Sequence, residues 1–138
     1  MIRLASGTDR VALEILEKLI FNGDAECFLD DLCFVVDAGE SGVVGSIFLS
    51  TSGNHRGTIL SIGIIDEFRQ QGHGTALLEA AEDAFQKMGV GKMKLQVEIT
   101  RFGAIVCYMK YGFVMTSLMK NYYGRGRHAY IMEKRIRK

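Results

Sequence analysis

The sequence predicts an α/β (α+β) protein built on a single mixed, mostly antiparallel central sheet flanked by helices. Three observations carry that prediction. The stretch Leu77, Leu78, Ala81, Ala84, Phe85 and Met88 forms one apolar stripe at helical spacing, with Glu79, Glu82, Asp83, Gln86 and Lys87 opposite. Immediately after it, Met93, Leu95, Val97 and Ile99 alternate with Lys94, Gln96 and Glu98, the period of a strand with one buried face. Hairpin-like strand pairs flank this alternating centre on both sides, an order that yields one sheet with helices packed on it.

The elements follow in order. Ile2 to Ala5 reads as a short first strand, and Asp9 is placed to cap a helix carrying Val11, Ala12, Ile15, Leu16, Leu19 and Ile20 on one face, ended by Gly23. A short helical piece is expected over 25–32, then a strand at Phe34-Val35-Val36. Gly39 to Gly42 turns into Val43 to Ser50 as a hairpin. Thr51 to Gly57 reads as a loop, and Thr58 to Ile65 as the central strand. The helix from about Thr75 closes at Gly89. Phe102 to Lys110 is a second short helix ended by Gly112, Phe113 opens a strand reaching about Lys120, and Ala129 begins the last strand.

Composition bounds the function. A chain of 138 residues has the size of one domain, expected to span 1–138, and can bury a core without disulfides or metals. The net charge of +1, with 24% charged and 48% hydrophobic residues, argues against a disordered chain and against a general nucleic-acid binder. No apolar run approaches the roughly 18 residues that span a bilayer, and the first ten residues lack the apolar core of a signal peptide. A cytoplasmic protein with no membrane partner is expected. Cys27, Cys33 and Cys107 show no paired spacing, and His55, His73 and His128 are scattered, so no metal site is expected.

The most informative segment joins the central strand to the following helix through Asp66-Glu67-Phe68-Arg69-Gln70-Gln71-Gly72-His73-Gly74-Thr75. A helix start presents backbone N–H groups that lack intrahelical partners and carries the positive end of the helix dipole, so it can hold a pyrophosphate through main-chain contacts. Gly72 and Gly74 leave that approach open. Two other phosphate-binding patterns fail on the same chain. A dinucleotide fingerprint needs a small residue where Leu77 stands. A P-loop ending at Gly91-Lys92 would have Met93 where a hydroxyl must hold magnesium and Gln86 at its first glycine.

The pattern Arg69-x-x-Gly72-x-Gly74 resembles the R/Q-x-x-G-x-G/A motif of the GNAT acyl-CoA N-acetyltransferases, as do the strand before it and the helix after it. A second block, Leu95-Gln96-Val97 through Arg101, Ala104, Tyr108, Gly112 and Phe113, is similar to that family's second signature at the family's spacing. Asn121-Tyr122-Tyr123 and Ala129-Tyr130-Ile131-Met132 resemble elements of the branch that acetylates ribosomal proteins and peptide N-termini. The resemblance implies the GNAT fold along essentially the whole chain. It also implies an enzyme moving an acetyl group from acetyl-CoA to a primary amine, most simply the α-amine of a protein or peptide. A small-molecule amine, or a degenerate domain that only binds acyl-CoA, are the alternatives.

By that resemblance, Ile62, Gly63, Ile64 and Ile65 lie where two strands splay to offer main-chain N–H groups to the acetyl oxygen and pantetheine. Arg69, Gln70, Gln71, Gly72, His73, Gly74 and Thr75 form the phosphate turn, and Arg101, Ala104 and Tyr108 complete the cofactor side. Tyr108 matches the tyrosine beside the sulfur, and a phenol of pKa about 10 can donate a proton to a departing thiolate. Tyr122 and Tyr123 fall where the branch grips its peptide. Gln96 stands where the branch has a glutamate or histidine base, and glutamine cannot take a proton at neutral pH. Glu98, about 7 Å further along the same strand face, is the substitute acceptor, acting through water. A site without a strong base suits an α-amine, whose pKa of about 7.7–8.0 leaves roughly a tenth neutral at pH 7, over a lysine near 10.4.

Overall fold

The computed structural model describes residues 1–21, 32–52 and 55–136. In chain order these form β1 (Ile2–Leu4), α1 (Arg10–Phe21), β2 (Leu32–Asp37), β3 (Val43–Ser52), β4 (Arg56–Ile64), α2 (His73–Lys87), β5 (Lys92–Glu98), α3 (Phe102–Tyr111), β6 (Val114–Met119) and β7 (Ala129–Arg135). They build one seven-stranded sheet in the order β1-β2-β3-β4-β5-β7-β6. Every neighbouring pair is antiparallel except β4 with β5. This is the mixed, mostly antiparallel sheet with flanking helices that the sequence predicts.

The two sheet faces bury different helices. Leu77, Leu78, Ala81 and Phe85 of α2 pack with Ile47, Leu49, Ile59, Met93, Leu95 and Met132 of the sheet, joined by Ile105 and Tyr108 of α3. Each such large side chain contributes about 1.5–3 kcal/mol by leaving water. On the other face Leu13 and Leu16 of α1 cover Cys33, Val35 and Phe48.

The α1 stripe is rotated from the one the sequence suggests. Leu13 and Leu16 are buried, whereas Val11, Ile15 and Leu19 are 65%, 53% and 67% exposed. The cause lies at the entry. The chain reaches α1 through a tight 3-10 turn at Gly7–Asp9 capped by Ser6, and the Asp9 carboxylate accepts the Ser6 N–H at 2.8 Å. Arg3 of β1 binds both Asp9 oxygens, at 2.9 and 3.0 Å. That anchor fixes the rotation of the following helix about its axis, and at about 100° per residue a small turn changes which side chains face the sheet.

Other boundaries shift by little. The expected loop over Thr51 to Gly57 is shorter, because Thr51 and Ser52 extend β3 and Arg56 and Gly57 begin β4. The expected helix end at Gly23 and helical piece over 25–32 lie outside the described residues, save Leu32, which opens β2. At the far edge β6 pairs only with β7, and a register shift between Met115 and Ser117 leaves Thr116 as an extra residue in the ladder.

Gly57 is where β4 admits the ring of Phe85: a Cβ there would meet ring carbons at 2.6–2.8 Å. Gly57→Ala is therefore expected to destabilise by about 1–3 kcal/mol through overpacking, and Phe85→Leu in the same chain to recover part of the loss. Urea denaturation of wild type and the two variants measures this, and an undiminished midpoint for Gly57→Ala would refute it. The Asp9 carboxyl, held by Arg3, is lowered from 3.8 to about 2. A carboxyl depressed by folding stabilises the native state above its unfolded pKa, and that contribution disappears as pH falls from about 4 toward 2. Asp9→Asn should lower stability at neutral pH by about 1–2 kcal/mol and flatten the fall in stability across that acid window.

Candidate active site

The site opens where two strands part. Strands β4 and β5 pair from Arg56↔Lys92 to Ile59↔Leu95 and no further. At that point β4 carries a bulge: Leu49 of β3 pairs with Ile59 and Phe48 with Ser61, so Leu60 is the extra residue. A bulge bends its strand and increases the local twist, which turns β4 away from β5. Beyond it β4 stays with β3 through Gly45↔Ile64, while β5 stays with β7 through Glu98↔Ala129. A wedge results, bordered by Leu60 to Ile64 on one side and Gln96 to Glu98 on the other. Ile62, Gly63 and Ile64 lie along it, and the parting itself begins two residues earlier. Backbone groups on these facing edges are not consumed by a β4–β5 ladder and, apart from the Ile64 and Gln96 carbonyls that accept from Arg69 and Tyr123, face the opening.

The exit from β4 shapes the second part. Ile65 is extended, Asp66–Phe68 form a tight turn, and Gly72 takes a left-handed conformation at φ 85° as the N-cap of α2. Gln70 is also left-handed, at φ 62°, a conformation that costs a non-glycine residue of order 1 kcal/mol and concentrates at ligand-binding turns. No side chain caps α2. Its first intrahelical bond runs from the Ala76 N–H to the Gly72 carbonyl at 3.0 Å, so the N–H groups of His73, Gly74 and Thr75 precede the ladder. A Cβ at Gly72 would touch nothing, and one at Gly74 would meet only Cys107 Sγ, at 3.9 Å. The fold thus leaves the helix start open, and an anion fits it.

Arg69 and Gln71 brace this turn. Arg69 Nε donates to the Ile64 carbonyl at 3.0 Å and Nη1 pairs with Asp66 at 3.0 Å, while Gln71 Nε2 donates to the Glu67 carbonyl at 3.2 Å. Arg69 therefore binds the turn that the sequence reading has it complete as a cofactor ligand. His73 packs near Phe68, with ring centres 6.4 Å apart.

Helix α3 supplies the third part. It places Ala104, Cys107 and Tyr108 on its inner side, and it ends at Gly112, whose φ of 115° suits a left-handed cap. Tyr108 is 8% exposed and meets Phe113 edge-on at 6.0 Å. Among the described residues its hydroxyl has no hydrogen-bond partner, yet no fully buried side-chain oxygen or nitrogen there lacks one, so this oxygen reaches open space. Burial raises the phenol well above its ordinary value, and the nearby Arg101 opposes the shift. Arg101 does not reach out of the fold; its Nη2 donates to the Ile20 carbonyl at the end of α1, at 3.3 Å.

The β6–β7 connection closes the wedge from the side. Asn121, at φ 58°, organises it: its N–H donates to His128 Nδ1 at 2.9 Å and its Oδ1 accepts the Gly126 N–H at 2.7 Å. Tyr122 and Tyr123 stand edge-to-face with ring centres 5.0 Å apart. Tyr123 donates to the Gln96 carbonyl at 3.3 Å, and burial raises its phenol above the ordinary value. Both Glu98 oxygens accept from Arg127, at 3.1 and 3.0 Å, so Glu98 meets a guanidinium where the sequence reading has it relay a proton.

The structure brings Gln96, Glu98, Arg101, Tyr108 and Tyr123 to one end of the wedge, and Gly72 to Thr75 to the mouth beside Cys107. Sequence reasoning passed over Leu60, Cys107 and Arg127. Arg127 stands just before the last strand and Glu98 ends β5, the strand that β7 pairs with, a neighbourhood the sequence alone does not declare.

The described residues include no helix long and apolar enough to cross a membrane. An N-alpha-acetyltransferase from Sulfolobus acidocaldarius is 36% identical over 78 residues, covering 56% of this chain and 46% of that protein. The [Ribosomal protein bS18]-alanine N-acetyltransferase of Escherichia coli is 35% identical over 66 residues, covering 48% of this chain and 45% of the relative. The matches thus span about half the length of these curated relatives. The crystal structure of Ard1 from Thermoplasma volcanium superposes with a TM-score of 0.85 at 25% identity, over 100% of this chain and 98% of that one. The model of the acetyltransferase (GNAT) family matches residues 8–113, which include α1, the bulged strand, the uncapped helix start and Tyr108, and the chain belongs to that family.

Proposed function

We propose that the protein is an acetyl-CoA-dependent N-acetyltransferase acting on the N-terminal α-amine of a protein or peptide in the cytoplasm. The observation that carries this is the wedge between β4 and β5 opening onto the uncapped start of α2. An anionic, extended acyl thioester suits both parts, and when bound it supplies an activated carbonyl for an amine to attack.

The chain's own groups divide the work. The N–H groups of His73, Gly74 and Thr75 take the pyrophosphate without needing a charged side chain. The free edge of β4 around Ile62 to Ile64 aligns the pantetheine and donates to the acetyl oxygen as negative charge develops there. Tyr108, kept protonated by burial, gives its proton to the departing sulfur as the C–S bond breaks, and the proton shed by the attacking amine nitrogen restores the phenol. The burial that raises the phenol also raises the basicity of a thiolate released beside it, so the proton passes between groups in one dry environment. Arg101 lies beside both Tyr108 and Tyr123 and favours negative charge between them.

Among the described residues, the acceptor side offers no strong base. Gln96 cannot accept a proton, and the lone pairs of Glu98 are directed at Arg127. The amine must then arrive neutral by its own pKa, which favours an α-amine near 7.7–8.0 over a lysine near 10.4 by roughly 3–4 kcal/mol. The two curated relatives, named for N-alpha and ribosomal-protein alanine acetylation, support the same choice.

Three outcomes test the reading. Gly74→Glu should weaken acetyl-CoA binding at least tenfold in a folded protein, through bulk and charge at the helix start; calorimetry measures it, and unchanged affinity removes the cradle from α2. Tyr108→Phe should lower kcat roughly 10- to 10⁴-fold with acetyl-CoA affinity within a few-fold; a wild-type kcat rejects the proton donor. On one peptide bearing a free N-terminus and an internal lysine, mass spectrometry should find the α-amine modified, with a rate rising about tenfold per pH unit below the amine's pKa. Predominant lysine acetylation would overturn the substrate class.

A further inference from the structure

Arg127 belongs to no part of the chemistry above, yet it makes more contacts than any other side chain of the β6–β7 connection. Its Nε and Nη2 bind the two Glu98 oxygens at 3.1 and 3.0 Å, its Nη1 donates to the Tyr123 carbonyl at 3.4 Å, and its guanidinium carbon lies 5.8 Å from the centre of the Tyr123 ring. The backbone closes the same circuit, since the Tyr123 N–H donates to the Arg127 carbonyl at 3.1 Å. Tyr123 in turn reaches across to the Gln96 carbonyl. One side chain thus ties the loop to the last residue of β5, at the border of the wedge.

A two-pronged arginine–carboxylate pair is directional in a way a lysine pair is not, because the planar fork fixes both the distance and the plane of its partner. The pair is 40% exposed on the arginine and 18% on the glutamate, so it is solvated enough to open and close without the full cost of a buried charge. Tyr122 is 46% exposed, so the loop is held to β5 through Tyr123, its hydroxyl bond to the Gln96 carbonyl, and the Arg127 pair. The ion pair adds to that hold the contact that fixes the plane of the loop against the end of β5.

We infer that the Glu98–Arg127 ion pair is a latch that holds Tyr122 and Tyr123 at the acceptor mouth, making both charged groups positioning residues for the incoming peptide. The inference rests on the peptide-acceptor reading above and gives Glu98 a mechanical role in place of a proton-transfer one. The latch sets the acceptor's KM and leaves the cofactor side, on α2, undisturbed. It also specifies a relation between the two positions: exchanging the charges restores the ion pair and so part of the latch, without the Arg127 contacts to the Tyr123 carbonyl and ring.

The test compares wild type with Arg127→Gln, Glu98→Gln and the exchanged pair Glu98→Arg with Arg127→Glu. Amide hydrogen exchange at Asn121, Tyr123, Gly126 and Arg127 should accelerate at least tenfold in each single variant, with α2 unchanged, and return toward wild type in the exchanged pair. With peptide acceptor, each single variant should raise KM about tenfold or more while kcat and acetyl-CoA affinity move less than threefold, and the exchanged pair should restore KM in part. Unaltered loop exchange in Arg127→Gln overturns the latch, as does a loosened loop with an unmoved peptide KM. A loss confined to kcat in Glu98→Gln, with KM retained, would return Glu98 to proton transfer and also overturn it. Should wild type transfer no acetyl group to any peptide, the acceptor reading falls, and the exchange rates alone decide the latch.

Discussion

The rest of the architecture depends on one interruption: β4 and β5 stop pairing after Ile59↔Leu95. A continuous sheet would satisfy every backbone group and leave nothing for a ligand to bind. The extra residue at Leu60 ends that continuity at low cost, because β4 keeps its ladder with β3 and β5 keeps its ladder with β7. Each parting strand is supported on its outer side, so the opening stays stiff. The helices follow from this. Helix α2 leaves the end of β4 and spans the shared core, while α3 returns from the end of β5 and brings Tyr108 to the same place.

The electrostatics of the site are restrained. Of the charged side chains near the wedge, Arg69 is bound to its own turn, Arg101 to the end of α1, and Glu98 to Arg127. Among the described residues, backbone dipoles at a helix start and a strand edge, together with phenols held neutral by burial, face a ligand there. Fixed dipoles stabilise developing charge without reorganising, and they impose no charge requirement on the acceptor beyond its own protonation state. An amine that is already partly neutral meets this site on favourable terms.

Much of this was legible in the chain. The order of strands and helices followed from period-two and period-3.6 patterns long enough to be unambiguous, as at Met93 to Ile99 and Leu77 to Phe85, and the glycines at 72 and 112 marked real changes of backbone direction. What escaped notice depended on contacts distant in sequence. The rotation of α1 is set by Arg3 reaching Asp9, not by the helix's own pattern. Arg127 meets Glu98 only because β5 and β7 lie side by side. The bulge at Leu60 leaves no mark at all in an apolar strand, since it is a property of how two strands align.

The outer strand has a consequence for life in a crowded solution. All of β6 is exposed, and Val114, Met115, Leu118 and Met119 are between 43% and 62% accessible. An apolar, unpaired edge of that kind can template a strand from another chain and begin a fibril. Thr116 stands against it. As the extra residue of a bulge, with its hydroxyl turned back toward the Ile131 carbonyl at 3.3 Å, it breaks the repeat that an incoming strand would need to match. A single misaligned residue lets the protein keep an oily margin without becoming a seed for aggregation.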